Sequence, residues 1–190
     1  GHHKMVLCDT YKPTGEHISN NHRIWAKELF DKKLEEEPWF GLEQEYFMID
    51  PETMKPIGYD ETKTQGQYYC SVGSENTFGR HIAEHHLQVC MLAGIKLSGI
   101  NAEVAPGQWE FQVGPCTGIE QGDHMWMARY LLQKVSECHN VIIDFEPKPL
   151  LGDWNGSGCH TNYSTKHMRE GTVEKTGLDF INDAIEKLSH

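Results

Sequence analysis

The segment Trp39–Asp50 constrains the fold most, because its residues alternate with the two-residue period of a β-strand. Glu43 and Glu45 share one face of this strand with Phe47 and Ile49. The opposite face carries Leu42, Gln44, Tyr46 and Met48. A strand of this composition presents two carboxylates to the same side of a sheet.

A second pair of acidic residues lies beside a predicted hairpin. Residues 97–105 and 108–114 are apolar runs of strand length, and Pro106-Gly107 between them favours a tight turn. Glu103 and Glu110 lie on either side of this turn. The hairpin therefore adds two carboxylates to the predicted sheet.

The remaining elements complete an α+β pattern. Apolar residues at helical spacing predict helices over 19–37, 79–95, 119–139 and 178–188. Short strands are predicted over 5–8 and 141–145, and another follows the glycine-rich segment 154–158. Residues 51–67 are rich in turn formers and are predicted to be a long loop. We expect an antiparallel or mixed sheet that is lined with metal-binding glutamates and backed by helices.

Composition excludes two classes of partner. The chain has 28 acidic and 17 basic residues, and its net charge of −11 repels nucleic-acid phosphates. The mean hydropathy is −0.59, and no apolar run is long enough to span a membrane. The six cysteines form no CxxC pair, which favours a reduced, cytoplasmic chain over a zinc ribbon or a disulfide scaffold.

Five residues on predicted strands are candidate metal ligands: Glu43, Glu45, Glu103, Glu110 and His160. Two carboxylates about 5 Å apart repel each other by about 3 kcal/mol at an effective dielectric constant near 20. Converging acids therefore need cations or must bind protons, and an oxygen-rich site with one imidazole suits Mg²⁺ or Mn²⁺. The alternative is a solvated sheet face, against which the apolar neighbours Trp109 and Phe111 argue.

Four segments, in this order and at this spacing, resemble glutamine synthetase of the eukaryotic type. They are PWFGLEQEY at 38–46, GINAEV at 99–104, GQWEFQVGP at 107–115 and NGSGCHTN at 155–162. The stretches 148–149 and 164–166 extend the similarity, which covers almost the whole chain. The resemblance implies that residues 1–190 are part of a glutamine synthetase catalytic domain.

The resemblance also implies roles for individual residues. Glu45, Glu103 and Glu110 match the ligands of one metal ion in the family, and Glu43 and His160 match ligands of a second ion. Two or three Mg²⁺ or Mn²⁺ ions are expected in each site. The residues expected to bind ATP are Trp39, Glu43, Glu110, Phe111, Gln112, Val113, Gly114, Pro115, Asn162, Tyr163 and Ser164. Those expected to bind L-glutamate are Asp153, Trp154, Asn155 and Gly156. No catalytic residue is identified.

The family reaction uses ATP to phosphorylate the γ-carboxylate of L-glutamate, and ammonia then displaces phosphate from γ-glutamyl phosphate to give L-glutamine. By resemblance, a complete subunit carries an N-terminal β-grasp domain and a further C-terminal part of the catalytic domain, and we expect both to lie outside residues 1–190. Complete family members assemble as stacked-ring decamers. The isolated chain is therefore expected to be inactive, with the activity belonging to the complete assembly.

Three alternative interpretations stay open. The chain could be an inactive fragment or a non-catalytic structural relative, or it could belong to a related ATP-dependent ligase that joins glutamate to another amine. A zinc site on the helix that carries His81, His85 and His86 is a further alternative, and we expect those histidines to lie on a solvated helix face instead.

Overall fold

A computed structural model describes residues 3–188. The sheet is built from six strands, β1 (Trp39–Asp50), β2 (Lys55–Pro56), β3 (Leu97–Ala102), β4 (Gln108–Thr117), β5 (Ile142–Asp144) and β6 (Cys159–Ser164). Five α-helices accompany them: α1 (His22–Asp31), α2 (Arg80–Leu92), α3 (Glu120–His139), α4 (Lys166–Glu170) and α5 (Gly177–Leu188). No helix in this part of the chain is both long and apolar enough to cross a membrane.

Strand β1 is the centre of the sheet. The order along the sheet is β2-β1-β4-β3, and β5 and β6 also pair with β1. The pairs β1–β2, β1–β5 and β3–β4 are antiparallel. In the β3–β4 hairpin Asn101 lies opposite Glu110 and Ala102 lies opposite Trp109. The predicted α+β fold with an antiparallel or mixed sheet is confirmed.

The chain divides into two compact units. The first unit comprises the described residues up to Phe40, Pro115–Asp123 and those from Asn162 onward. In it, the Arg23 guanidinium donates to the carboxylates of Asp9 and Asp123 at 2.7–3.0 Å. Helices α4 and α5 contact each other there. The second unit comprises Gly41–Gly114 and His124–Thr161 and contains most of the sheet.

Three predicted elements were wrong or incomplete. Residues 5–8 form no strand, because their apolar side chains are exposed and no neighbouring strand pairs with them. The helix predicted over 19–37 ends at Asp31, and a short 3-10 turn, Leu34–Glu36, follows. Glu37 then adopts a left-handed conformation (φ 46°), which stops further helix. The predicted loop 51–67 includes strand β2, and helix α4 was not predicted.

Helix α3 buries the predicted apolar stripe. Its buried apolar side chains are Met125, Ala128, Leu131, Leu132 and Val135. They recur every three or four residues, so they form one face of the helix. The predicted boundary and inner face of this helix are confirmed.

His86 is fully buried, which corrects the expectation that the histidines of α2 lie together on a solvated face. Its Nε2 is 2.9 Å from the Ala128 carbonyl oxygen, so Nε2–H donates to that carbonyl. Its Nδ1 is buried and has no hydrogen-bond partner. The ring also packs edge-on against Phe111 with centroids 5.0 Å apart. Burial lowers the pKa of His86 to about 4, and the hydrogen bond to Ala128 offsets part of this effect.

This burial predicts a pH-dependent loss of stability. The folded-state pKa of about 4 lies below the ordinary value of 6.5, so the unfolded chain binds more protons between these pH values. The contribution of His86 to the free energy of unfolding is therefore fully present above pH 6.5 and is lost as the pH falls toward 4. We expect His86 to account for a loss of about 2 kcal/mol in unfolding free energy between pH 7 and pH 5. Urea unfolding followed by circular dichroism at several pH values measures it.

The matched variant is His86→Gln, whose amide can still donate to Ala128 but does not titrate. Cys90, which contacts His86 at 3.2 Å, stays a thiol throughout this range because burial raises its pKa to about 12. We expect the variant to lose about 2 kcal/mol less than the parent between pH 7 and pH 5. Equal losses in the two proteins would contradict a neutral, buried His86.

Candidate functional site

Three glutamates of the second unit converge at the β1–β4–β3 part of the sheet. One carboxylate oxygen from each of Glu45, Glu103 and Glu110 lies within 4.8 Å of the others. Glu45 projects from β1 and Glu110 from β4, while Glu103 directly follows β3. In the β3–β4 hairpin Asn101 lies opposite Glu110 and two residues before Glu103. Strand periodicity therefore directs the side chains of Asn101, Glu103 and Glu110 to one face of the sheet.

Each of the three carboxylates accepts a hydrogen bond that fixes its orientation. The Gly158 N–H donates to Glu45 Oε2 at 2.7 Å, and the Val104 N–H donates to Glu103 Oε2 at 3.1 Å. The Gln112 side-chain amide donates to Glu110 Oε1 and also to Asn101 Oδ1, the latter at 2.6 Å. Oxygens held in this way are ordered before any ligand binds.

The cluster is electrostatically unfavourable without a cation. Glu103 and Glu110 are each only 7% exposed, and burial is the main reason that the pKa of each is raised. The charge of Glu45 raises both pKa values further. Hydrogen bonds from Val104 and Gln112 oppose these effects only in part. Carboxylates less than 5 Å apart repel by about 3 kcal/mol per pair at an effective dielectric constant near 20.

The geometry and chemistry of the cluster fit a hard divalent cation. Mg²⁺ binds oxygens at about 2.1 Å with octahedral geometry, which places ligand oxygens about 3 to 4.2 Å apart. The spacing in this cluster, within 4.8 Å, needs only small side-chain movements to reach that range. Three carboxylates and no sulfur favour Mg²⁺ or Mn²⁺ over thiophilic metals.

Glu43 and His160 form a second pair beside the cluster. His160 Nδ1 is 3.8 Å from Glu43 Oε2, and both side chains are more accessible than Glu103 and Glu110. The charge of Glu43 raises the pKa of Glu110, and His160 lowers it, so the pair is close enough to influence the cluster. The two predicted ligand groups, Glu45 with Glu103 and Glu110, and Glu43 with His160, are thus each close together in the structure.

The residues expected to bind ATP belong partly to the second unit, where β4 carries Phe111, Gln112, Val113 and Gly114. The side chains of Phe111 and Val113 are buried in the core. Only their backbone groups can therefore contact a nucleotide. The Gly114 N–H is already bonded to the Lys96 carbonyl at 2.8 Å. Gln112 orients Glu110, as described above.

The other residues expected to bind ATP, Trp39, Pro115, Asn162, Tyr163 and Ser164, lie in the first unit. Trp39 is 40% exposed, and the Arg169 guanidinium lies over its ring at 3.9 Å from the centroid. Arg169 also donates to Ser164 Oγ at 2.9 Å. The half-exposed Tyr163 ring packs against Phe40, with centroids 5.0 Å apart. This edge of the first unit presents an aromatic face beside a fixed cation.

The segment expected to bind glutamate is anchored by Gln108. This side chain is 1% exposed; its amide donates to the Gly156 carbonyl at 2.8 Å, and its Oε1 accepts from the Asn155 side chain at 3.1 Å. The Asn155 N–H donates to Gln65 Oε1 at 2.6 Å. Trp154 packs against Tyr59, while Asp153 is exposed.

Sequence reasoning missed the supporting residues of the site. Gln108 and Asn101 were not expected to hold other side chains, and neither was Gly158 as a donor to Glu45. Their partners lie far away in the sequence or across a strand pair, so no local pattern reports them. The available signal was a buried amide side chain next to a predicted ligand, because buried amides need hydrogen-bond partners.

Sequence comparison gives a consistent family. Residues 23–177 match the family profile described as "Glutamine synthetase, catalytic domain". The chain is 53% identical over 192 residues to the glutamine synthetase of Agaricus bisporus, an alignment that covers 100% of this chain and 53% of the relative. It is 52% identical over 194 residues to a chloroplastic glutamine synthetase of Brassica napus, covering 100% of this chain and 44% of the relative. The glutamine synthetase nodule isozyme of Lupinus luteus is 50% identical over 193 residues, covering 99% of this chain and 54% of the relative.

The chain thus spans about half the length of the curated relatives that it matches. The matched range, residues 23–177, includes all three converging glutamates. The chain therefore belongs to the glutamine synthetase family, and its residues 23–177 match the catalytic domain of that family.

Proposed function

We propose that this chain supplies the metal- and ATP-binding part of an enzyme that makes L-glutamine from L-glutamate, ammonia and ATP, with ADP and phosphate as the other products. The observation that carries the proposal is the convergence of Glu45, Glu103 and Glu110 within 4.8 Å. Buried carboxylates that repel each other are stable as a cation site and costly otherwise. Membership of the glutamine synthetase family supports the choice of reaction.

Each group of residues has a separate task in this proposal. Glu45, Glu103 and Glu110 hold one Mg²⁺ or Mn²⁺, and Glu43 and His160 contribute to a second. The bound cations supply positive charge to the phosphate oxygens as the phosphoryl group moves from ATP to the γ-carboxylate of glutamate. The neutral imidazole of His160 ligates without adding negative charge.

Gln108 positions the segment proposed to bind glutamate. Its two hydrogen bonds fix Asn155 and Gly156, and Gln65 fixes the backbone of Asn155 from the other side. A segment held by buried amides keeps its polar groups oriented toward a small substrate at little entropic cost. The exposed Asp153 can reach the ammonium group of glutamate by charge attraction.

Assembly and location follow from the resemblance alone. We propose a stacked-ring homo-oligomer for the complete subunit and a cytoplasmic location. Some of the similar proteins are named chloroplastic, so the compartment differs among relatives of equal similarity. Fractionation of the source cells with an antibody against this chain tests the location.

The activity is tested on the polypeptide purified from its source. We expect glutamine to form only when ATP, glutamate, ammonia and Mg²⁺ or Mn²⁺ are all present, as measured by mass spectrometry. Replacement of ammonia by a panel of primary amines separates a glutamine synthetase from a ligase for another amine. ATP and metal binding without any glutamate-dependent ATP consumption would instead identify a non-catalytic relative.

Substitution of a converging glutamate is expected to change metal affinity and stability in opposite directions. Glu103→Gln keeps the acceptor for Val104 but removes one of three repelling charges. We expect the unfolding free energy of the metal-free protein to rise by about 1 kcal/mol, because a buried repulsion is removed. Mn²⁺ affinity, measured by calorimetry, is expected to fall at least about 10-fold, because an anionic ligand is lost.

The control for this prediction is Glu84→Gln on the exposed side of α2, which removes the same charge at a solvated position. We expect Glu84→Gln to leave the unfolding free energy of the metal-free protein and the Mn²⁺ affinity unchanged within error. A Glu103→Gln protein with lower metal-free stability and unaltered Mn²⁺ affinity would show that the cluster is a structural hydrogen-bond network.

Gln108 should be required for an ordered glutamate-binding segment. Gln108→Leu keeps the side-chain volume but leaves the Gly156 carbonyl and the Asn155 amide without their partner. We expect the unfolding free energy to drop by about 2 kcal/mol, since buried polar groups lose their hydrogen bonds. Amide hydrogen exchange near Asn155 should accelerate, while exchange in α3 stays as in the parent. If amide exchange near Asn155 were the same in Gln108→Leu as in the parent, Gln108 would not position this segment.

The 190-residue chain, purified by itself, is expected to bind Mn²⁺ and to form no measurable glutamine. The chain spans about half the length of the relatives that it matches, so any group supplied by the rest of such a subunit is absent from the purified 190-residue polypeptide. Loss of groups that bind substrate or stabilise the transition state removes several kcal/mol. The measurement is glutamine formation at saturating substrates, with Mn²⁺ binding by calorimetry as the control for folding. Sustained turnover by this chain would refute the expectation.

A further inference from the structure

Three histidines of the second unit meet away from the glutamate cluster. His81 and His85 are four residues apart on α2, so both rings project from the same helix face. His139 is the last residue of α3. Its ring centroid is 5.1 Å from that of His81 and 5.2 Å from that of His85. His85 Nδ1 lies 2.9 Å from His139 Nε2.

These rings can be reached by ions in solution. His81 is exposed, and His85 and His139 are partly exposed, whereas their neighbour His86 is buried in the core. The pKa of His139 is lowered by desolvation and by the proximity of His81 and His85. A lowered pKa favours the neutral imidazole, whose unprotonated nitrogen is the form that ligates metals.

The position of His139 at the C-terminal end of α3 also favours binding of a cation. The last carbonyl groups of a helix have no partner within the helix, and they carry the negative end of its dipole. A cation held at the end of the twenty-residue helix α3 is therefore favoured by the helix itself.

Closing the three histidines on one ion requires side-chain rotation. Two imidazole nitrogens on a tetrahedral Zn²⁺ are about 3.3 Å apart, compared with 2.9 Å between His85 and His139. Among residues 3–188, only Glu45, Glu103 and Glu110 have three ligand atoms all within 4.8 Å, so at least one histidine ring must turn toward the others. Exposed side chains change rotamer readily.

We propose that His81, His85 and His139 form a separate site for a first-row transition-metal ion such as Zn²⁺, which links the end of α3 to α2. The histidine site and the glutamate cluster differ in the atoms that they offer to a metal ion. Imidazole nitrogens select Zn²⁺, Cu²⁺, Ni²⁺ or Co²⁺, whereas the carboxylate oxygens of the glutamate cluster select Mg²⁺ or Mn²⁺. The histidine site is thus loaded independently of the ions used for phosphoryl transfer.

The test is a Zn²⁺ titration at pH 7.5 in 10 mM Mg²⁺, followed by calorimetry and by NMR of the histidine rings. All proteins carry His2→Ala and His3→Ala, because these residues at the start of the chain could also bind Zn²⁺. The variants are His85→Ala, His139→Ala and, as the matched control, His22→Ala at an exposed position in the first unit. Circular dichroism without metal verifies that each variant is folded.

We expect one Zn²⁺ equivalent whose affinity falls at least about 10-fold in His85→Ala and in His139→Ala but not in His22→Ala. The ring resonances of His81, His85 and His139 should shift together with Zn²⁺ and stay unchanged with Mg²⁺ alone. Equal Zn²⁺ affinity in all variants, or shifts confined to His160, would overturn the proposal. If a variant is less folded without metal, the ring shifts in the parent decide the outcome by themselves.

Discussion

Repulsion among three clustered carboxylates, two of them buried, is the constraint on which the organisation of the second unit depends. Glu45, Glu103 and Glu110 are held together by strand pairing, although at neutral pH they would separate in a flexible chain. The β3–β4 hairpin fixes two of them, and β1 places the third beside β4. The buried core on the other face of these strands, with Tyr46, Trp109 and Phe111 among its side chains, supplies the rigidity that resists the repulsion.

Much of the fold and of the candidate site could be predicted because the signals are local. The alternation in Trp39–Asp50 places Glu43 and Glu45 on one strand face, and the Pro106-Gly107 turn places Glu103 and Glu110 on either side of one hairpin. Other features depend on contacts between distant parts of the chain. Gly158 donates to Glu45 across 113 residues of sequence, and Gln108 holds Asn155 and Gly156 across 47 and 48 residues. No periodicity reports such contacts.

The errors have the same physical origin. An apolar run such as 5–8 becomes a strand only when another strand pairs with it, and here none does. His81, His85 and His86 share a helix but not an environment, because one faces the core and two face His139. The strand around Phe111 is likewise divided, since alternate residues serve the core and the metal cluster. Tertiary context decides these outcomes.

Anomalous diffraction from crystals grown with Mn²⁺ shows whether the three glutamates form a metal centre. We expect an anomalous peak about 2.2 Å from one carboxylate oxygen each of Glu45, Glu103 and Glu110, and no such peak in crystals of Glu103→Gln at the same Mn²⁺ concentration. An ordered cluster without a peak at saturating Mn²⁺, with the three carboxyl groups hydrogen-bonded to one another, would contradict it.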